Sequence, residues 1–500
     1  MAAFARPSLF RLLPLLGLAL SVSGCATGKL RPADTRLPAV FEAPTPAAPA
    51  PAAQLDAWWR QYDDAQLTEL VEQALASSPD AKTAIAKLEQ AQAVRSAALL
   101  SYNPQGQAAA SITRQQLGLM ESAQDFGKAV SGSTFVGGSG STGGTGSTGI
   151  STLGASQTSQ AAFNVTWEVD LWGRRASAKK AADADLRTAL FDAAATRWSL
   201  SASVADSLFV ARGLALQLAE AQETLRDQQQ LLDISTAKVA HGLAPGSDQA
   251  QTEANVLAAK AQADSLDAQL KAARRSLLIL VGRGVDPLAS LPVPTAVGAP
   301  PAMPAAVPGE LLVRRPDVLE ARERVTSASG KLSLNEKAFL PTINLQPGVG
   351  LIQETASAAS RLSFWSIGAS ATQPILDIPR LLANVRQQKA VAEQAVIAYE
   401  KAVQVAYGDA ENAFVYFASD TRRLELLKAA ETDAGRAYEA KRTGYQRGLI
   451  DLQTTLTTEA TWRQARLARV AAQTTLMQRS VQVFKALGGG WAAPVAKAAG

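Results

Sequence analysis

The chain has 500 residues, 49 of them basic and 44 acidic, with Cys25 its only cysteine and His241 its only histidine. A net charge of +5 without any Lys/Arg stripe excludes a nucleic-acid footprint. A single cysteine excludes an intrachain disulfide, and catalysis lacks support because no phosphate loop or nucleophile elbow follows a strand pattern.

In chain order, Arg6 and Arg11 precede an apolar run, Leu12 to Leu20, that is too short to span a bilayer as a helix. Val22-Ser23-Gly24 follow, and then Cys25. Residues 1–24 read as a secretory signal, and the pattern resembles a bacterial lipoprotein signal. That resemblance makes Cys25 the acceptor of a covalent diacylglyceryl and N-acyl lipid, and Ala26 in place of Asp favours the outer membrane. The competing reading is a buried, incidental thiol. Loss of Arg6 and Arg11 leaves 47 basic against 44 acidic side chains, a net of +3. Residues 25–53, rich in Pro and Ala, read as an extended tether.

Residues 54–282 form a first structural unit. Trp58-Trp59 opens a helical stretch. Ser78-Pro79-Asp80 then predicts a helix start, with a hydroxyl cap, proline at the first position and an acid at the positive end of the dipole. This helix stops before Asn103-Pro104. Beyond it the period becomes two: Phe163, Val165, Trp167 and Val169 alternate with Asn164, Thr166 and Glu168, and 107–114 is a weaker strand candidate. A hairpin at about 105–172 is expected, with a Gly/Ser-rich tract at about 127–156 as its loop. Arg174 to Ala240 contains no proline and one glycine, Gly213, so a single long helix is expected; a second helix returns after the turn His241–Gly246. Residues 283–308 are Pro-rich and read as a connector crossing on the outside.

Residues 309–491 repeat the plan, and 492–500 are a tail. Pro79-Asp80, Ala84 and Pro104 recur 237 residues later as Pro316-Asp317, Ala321 and Pro341; Arg174, Gly242-Leu243 and Gly282 recur 206 residues later as Arg380, Gly448-Leu449 and Gly488. The Gly/Ser tract accounts for the difference. Ile343, Leu345, Val349 and Leu351 alternate with polar residues or glycine, which places a second hairpin at about 342–374. Each half therefore carries two strands of bilayer-crossing length, although a soluble hairpin shows the same alternation. Four tilted strands cannot close a barrel, and open edges are not tolerated in lipid. Three chains supply twelve. The expected fold is mainly α with a membrane β-barrel: a trimeric 12-stranded barrel, four strands per chain, continuous with a long periplasmic α-helical barrel.

The chain resembles the TolC-like outer membrane efflux proteins, specifically their NodT-type lipoprotein branch. Trp58-Trp59, Leu67, Val169-Asp170-Leu171-Trp172-Gly173-Arg174, Arg314-Arg315-Pro316-Asp317, Phe339-Leu340-Pro341, Gln373-Pro374-Ile375-Leu376-Asp377 and Leu487-Gly488-Gly489-Gly490-Trp491 carry the resemblance. It implies a homotrimeric, non-enzymatic outer membrane channel that gives passive exit to small molecules. Its implied partners are a periplasmic adaptor, an inner-membrane transporter of the RND (resistance-nodulation-division) type and outer membrane lipids. A type I protein-secretion duct shares the fold, and a non-conducting periplasmic coiled-coil lipoprotein adaptor is a further alternative.

Candidate functional residues follow. Gly242 and Gly448 allow tight turns, and Leu243 and Leu449 would be apolar tips for adaptor docking; chain reversal alone also explains the glycines. Family members commonly close the periplasmic end with an aspartate nine residues after the second tip glycine and an arginine three further on. Here those places hold Thr457 and Ala460, so the gate candidates are Thr457 and a glutamate ring from Glu253 or Glu459, against ordinary solvated helix charges. Arg314 to Asp317 reads as a structural helix start. No cofactor is expected beyond the lipid on Cys25. No metal site is expected, because the soft ligands are scattered.

Overall fold

The structure is a computed structural model and describes residues 30–43, 55–115, 156–304, 307–355 and 359–491. A 3-10 turn at Trp58–Tyr62 precedes α1 (Ala65–Ser77), α2 (Pro79–Leu100), β1 (Gln105–Gln115) and β2 (Ser156–Val169). Then come α3 (Arg174–Ala240), α4 (Gly246–Val281), α5 (Leu311–Arg314) and α6 (Pro316–Glu336). The chain continues through β3 (Thr342–Thr355), β4 (Ala359–Thr372), α7 (Ile378–Gln446) and α8 (Leu452–Ala486). Two compact units result, one from residues within 97–176 and 334–383, the other mainly from 27–96, 177–333 and 384–500.

The first unit holds one antiparallel sheet in the order β1-β2-β3-β4. Its register pairs Phe163 with Ala108 and Val349, and Val349 with Trp365. Among the described residues the strand order follows the chain, so β1 and β4 are both edges. At the strand ends, Trp172 Nε1 donates to Pro341 O at 2.7 Å and Lys337 Nζ donates to Gly173 O at 2.6 Å.

The helices of the second unit start and stop where local chemistry dictates. Ser78 Oγ accepts from Ala81 N at 3.0 Å at the start of α2, and Asp64 Oδ1 accepts from Leu67 N at 3.0 Å at the start of α1. Asp451 Oδ1 accepts from Thr454 N at 2.8 Å at the start of α8. Free of internal proline, α3 runs 67 residues, a length of roughly 100 Å. Such helices persist through packing rather than propensity. Glycines make notches for it: a Cβ on Gly213 of α3 would come within 2.3 Å of the Thr474 side chain on α8, and one on Gly330 of α6 within 2.8 Å of the Ala181 backbone on α3.

The core of this unit joins the two repeats. Trp58, Leu67, Leu208, Phe209, Leu277, Val481 and Phe484 are fully buried in one cluster, and Phe484 stacks on Trp58 with ring centroids 5.4 Å apart. Each such side chain contributes roughly 1.5–3 kcal/mol on burial. One expectation needs correction here. The Pro-rich connector does not lie wholly outside, since its Leu291, Val297 and Met303 enter this cluster. The prolines stop helix formation but leave the apolar side chains between them free to pack. The described part of the N-terminal tether is without helix or strand and is seated on the helical unit. Residues 30–43 lie along α7: Arg31 donates to Glu393 at 2.5 Å and to Glu400 at 2.8 Å, the backbone N–H groups of Glu42 and Ala43 donate to Glu411, and Phe41 stacks on Tyr407. Cys25, the Gly/Ser tract and the tail 492–500 lie outside the described residues.

Candidate functional site

Both helical hairpins turn by the same device. Gly242 N donates to Val239 O at 2.9 Å and Leu243 N to Lys238 O at 2.8 Å; Gly448 N donates to Tyr445 O at 3.0 Å and Leu449 N to Gly444 O at 2.9 Å. This is the paired Schellman arrangement. It needs a left-handed residue, and Gly242 and Gly448 have φ of 70° and 76°. The residue after each glycine is thrown outward, leaving Leu243 77% and Leu449 75% exposed. The two equivalent turns thus each present one leucine to water.

Behind the tips, the packing differs between the hairpins. Ser235 of α3 and Thr252 of α4 are fully buried and share a hydrogen bond of 2.9 Å. On the other hairpin, Tyr438 stacks on Trp462 at 5.1 Å, and Gly435 accommodates the indole at 3.0 Å from where a Cβ would stand. Lys238 ties the two hairpins together, donating to Tyr445 O at 2.7 Å with its Nζ 3.7 Å from the centre of the Tyr445 ring.

The gate candidates separate. Glu253 and Thr457 are exposed, and Thr457 Oγ1 donates back to Gln453 O at 2.8 Å. Glu459 is 3% exposed; burial pushes its carboxyl up, while Arg463 at 3.6 Å and a hydrogen bond from Gln228 oppose the shift. A carboxylate enclosed within one chain does not face a bore, so Glu459 does not fit the expected gate ring; the buried position arises because α8 turns this side chain toward Gln228 of α3. Charge is instead concentrated further along, where Arg466 and Arg469 of α8 pair with Glu220 of α3, and Arg469 with Glu431 of α7. Residue spacing alone gives no sign of this three-helix cluster.

The Arg314–Asp317 segment is packed as a structural joint. Arg315 is 2% exposed; it donates to Asp317 at 2.7 Å and Asp409 at 3.0 Å, and lies over the Trp198 ring. Arg314 donates to Asp56 at 2.6 Å, and its carbonyl accepts from Trp491 Nε1 at 3.0 Å. Beside it is a cavity of about 520 Å³ lined by Trp198, Asp206, Asp409, Arg479 and Lys485 among others. Burial pushes Asp206 up to about 6 against the pull of Lys485.

The sheet has two chemically distinct faces. Because cross-strand partners share a face, Phe163, Val165, Trp167, Val349, Trp365 and Ile367 fall together, and Gln107, Asn164, Thr166, Asn344, Gln346 and Ser370 fall on the other side. Phe163, Trp167, Val349, Trp365 and Ile367 are all exposed within the chain. An apolar face open on one side and a polar face on the other is what a lipid-facing, water-lined sheet needs. Among the described residues, no group of three or more His, Cys, Asp or Glu side chains is placed to hold a metal ion.

Comparison with known proteins agrees with this layout. The chain is 28% identical over 486 residues to the pyoverdine export outer membrane protein OpmQ of Pseudomonas putida, covering 97% of this chain and 98% of that one. Its fold matches the solved outer-membrane channel OprN with a TM-score of 0.76 at 25% identity, over 93% of this chain and all of the other. It also matches the CmeC outer membrane channel of Campylobacter jejuni with a TM-score of 0.79 at 20% identity, over 93% and 95% of the two chains. The sequence profile of the outer membrane efflux proteins matches residues 70–283 and 307–489, one span in each half of the chain. The chain belongs to the outer membrane efflux protein family.

Proposed function

We propose that three copies of this chain assemble into the outer membrane exit duct of a tripartite efflux pump. The observation that carries the reading is the four-stranded sheet with one apolar face, one polar face and two unpaired edges. Lipid forbids such edges. Joining β4 of one copy to β1 of the next removes them and gives twelve strands around a polar bore. The duct is passive and has no catalytic role. An inner-membrane transporter of the RND type supplies the energy, and a periplasmic adaptor docks on Leu243 and Leu449. Cys25 carries the lipid anchor. The cargo is a small molecule, in keeping with the pyoverdine export for which the P. putida relative is named.

The test is to purify the full chain from outer membranes and reconstitute it in planar bilayers. A heat-dissociable trimer that forms ion-conducting pores is expected. A stable monomer, or a trimer that leaves bilayers silent, would refute the duct. Lipid labelling should vanish in Cys25→Ser; labelling retained in that variant removes the anchor from the proposal.

A further inference from the structure

Among the described residues, the polar face of the sheet is interrupted once. Pairing sets Ile352 beside Leu362, and Gly350 beside Phe364, all on the face that carries Asn164 and Gln346. Across β2 these two rows continue as Gln160 and Ala162. A Cβ on Gly350 would lie 2.6 Å from the Phe364 ring, so this glycine is the notch that lets the ring lie down on the sheet. The neighbouring rows are polar again: Asn164, Gly348 and Ser366 on one side, Thr158, Glu354 and Ser360 on the other. An apolar band two rows deep thus crosses β3 and β4, three to five residues from the hairpin turn. Leu362 is 61% exposed within it. The Glu354 carboxylate is two residues from Ile352 on the same face, roughly 7 Å along the strand.

We propose that this band is a binding site for lipophilic organic cations inside the bore. The proposal rests on the trimeric duct, in which the polar face lines the channel and three copies of Ile352, Leu362 and Phe364 make a girdle. Apolar side chains facing water are a cost unless something apolar covers them. A weakly hydrated cation with a delocalised charge covers Leu362 and Ile352, meets the face of the Phe364 ring, and is drawn by Glu354. Twelve strands enclose more room than the filled eight-stranded barrels, so the girdle narrows the passage without sealing it. It is a brief stopping place for solute close to the mouth.

The experiment is channel block in planar bilayers with the full-length trimer, using tetraphenylphosphonium as probe and tetramethylammonium as its hydrophilic comparison, both added from the hairpin-turn side. Residence of tetraphenylphosphonium should shorten about fivefold in Leu362→Ser and in the double variant with Phe364→Ser, as expected for loss of part of a buried apolar contact. Glu354→Gln should shorten it about twofold through loss of a solvent-screened charge. Block by tetramethylammonium, and all block in the control Ser366→Ala, should be unchanged. Leu362→Ser alters an exposed side chain and so guards against a folding defect in the Phe364 variant. Conducting channels whose tetraphenylphosphonium residence is the same in wild type and Leu362→Ser would overturn the girdle while leaving the duct intact. Equal shortening in Ser366→Ala would also overturn it. Wild-type protein that forms no channel would overturn the duct itself, and the girdle with it.

Discussion

Among the described residues, four long helices end on a left-handed glycine with the same pair of backbone hydrogen bonds, but the four ends stand in two different settings. At the tips, a Cβ added to Gly242 or Gly448 would meet nothing within 4 Å. In the packed middle, one added to Gly282 would lie 2.7 Å from Ser77 O, and one added to Gly488 would lie 3.0 Å from Arg314 O. Ser77 and Arg314 are themselves repeat mates, 237 residues apart. Duplication therefore preserved a backbone-to-backbone contact as well as a turn. An identical local motif meets a tertiary constraint in one region and only a conformational one in the other.

Substitution tests that contrast directly. Gly488→Ala and Gly282→Ala combine a left-handed φ with a collision against backbone, and should each cost about 3 kcal/mol or more. Trimer yield in the outer membrane should fall sharply; near-normal yield and heat resistance would break the distinction. Next in size is the pH response of the same packed middle. The folded Asp206 carboxyl, held up to about 6 by burial, keeps its proton in a range where the unfolded chain has already ionised. Stability from this group is present below about pH 4 and is lost as pH rises through 6, on the order of 1–2 kcal/mol per chain. Dissociation temperature compared at pH 5 and 7.5 should show the decline, and Asp206→Asn should flatten it; an unchanged slope would exclude Asp206 as the source.

At the tips, Gly242→Ala and Gly448→Ala should cost about 1 kcal/mol each, from backbone strain alone. Replacing either by Asn, which tolerates the left-handed region, should recover part of that loss. The smallest stability effect belongs to Leu243→Asp and Leu449→Asp, within about 0.5 kcal/mol because both side chains already face water. Those two variants should nonetheless abolish adaptor capture in a pull-down from detergent extracts, if the tips are the docking surface. Wild-type capture would leave the leucines as mere consequences of the turn.

The backbone plan was legible because its punctuation is local. Arg174 and Ala240 bound α3 as read, since proline is absent between them and Gly242 closes the end. Ser78-Pro79 starts α2 as read, for the same reason of local chemistry. β1 was fainter because Ala108, Ala109 and Ala110 blur the alternation. What could not be read depends on which neighbour a side chain meets. Gly213 looks like a helix weakness and is a docking notch for Thr474. Leu291 and Val297 sit between prolines but are core. Glu459 and Glu253 are repeat mates with the same spacing from their tips, but one is enclosed and the other exposed. Helix periodicity marks the buried face only where that face is apolar, and here Gln228 shares it.

The two bare margins of the sheet also bear on how the protein is made. A β1 of 11 residues and a β4 of 14 present backbone donors and acceptors along their whole length. Until those groups find the matching margin of a sibling, any passing extended segment satisfies them equally well. In the proposed trimer, each subunit is therefore most vulnerable while solitary. Pairing between siblings competes there with such stray pairings until the pore closes.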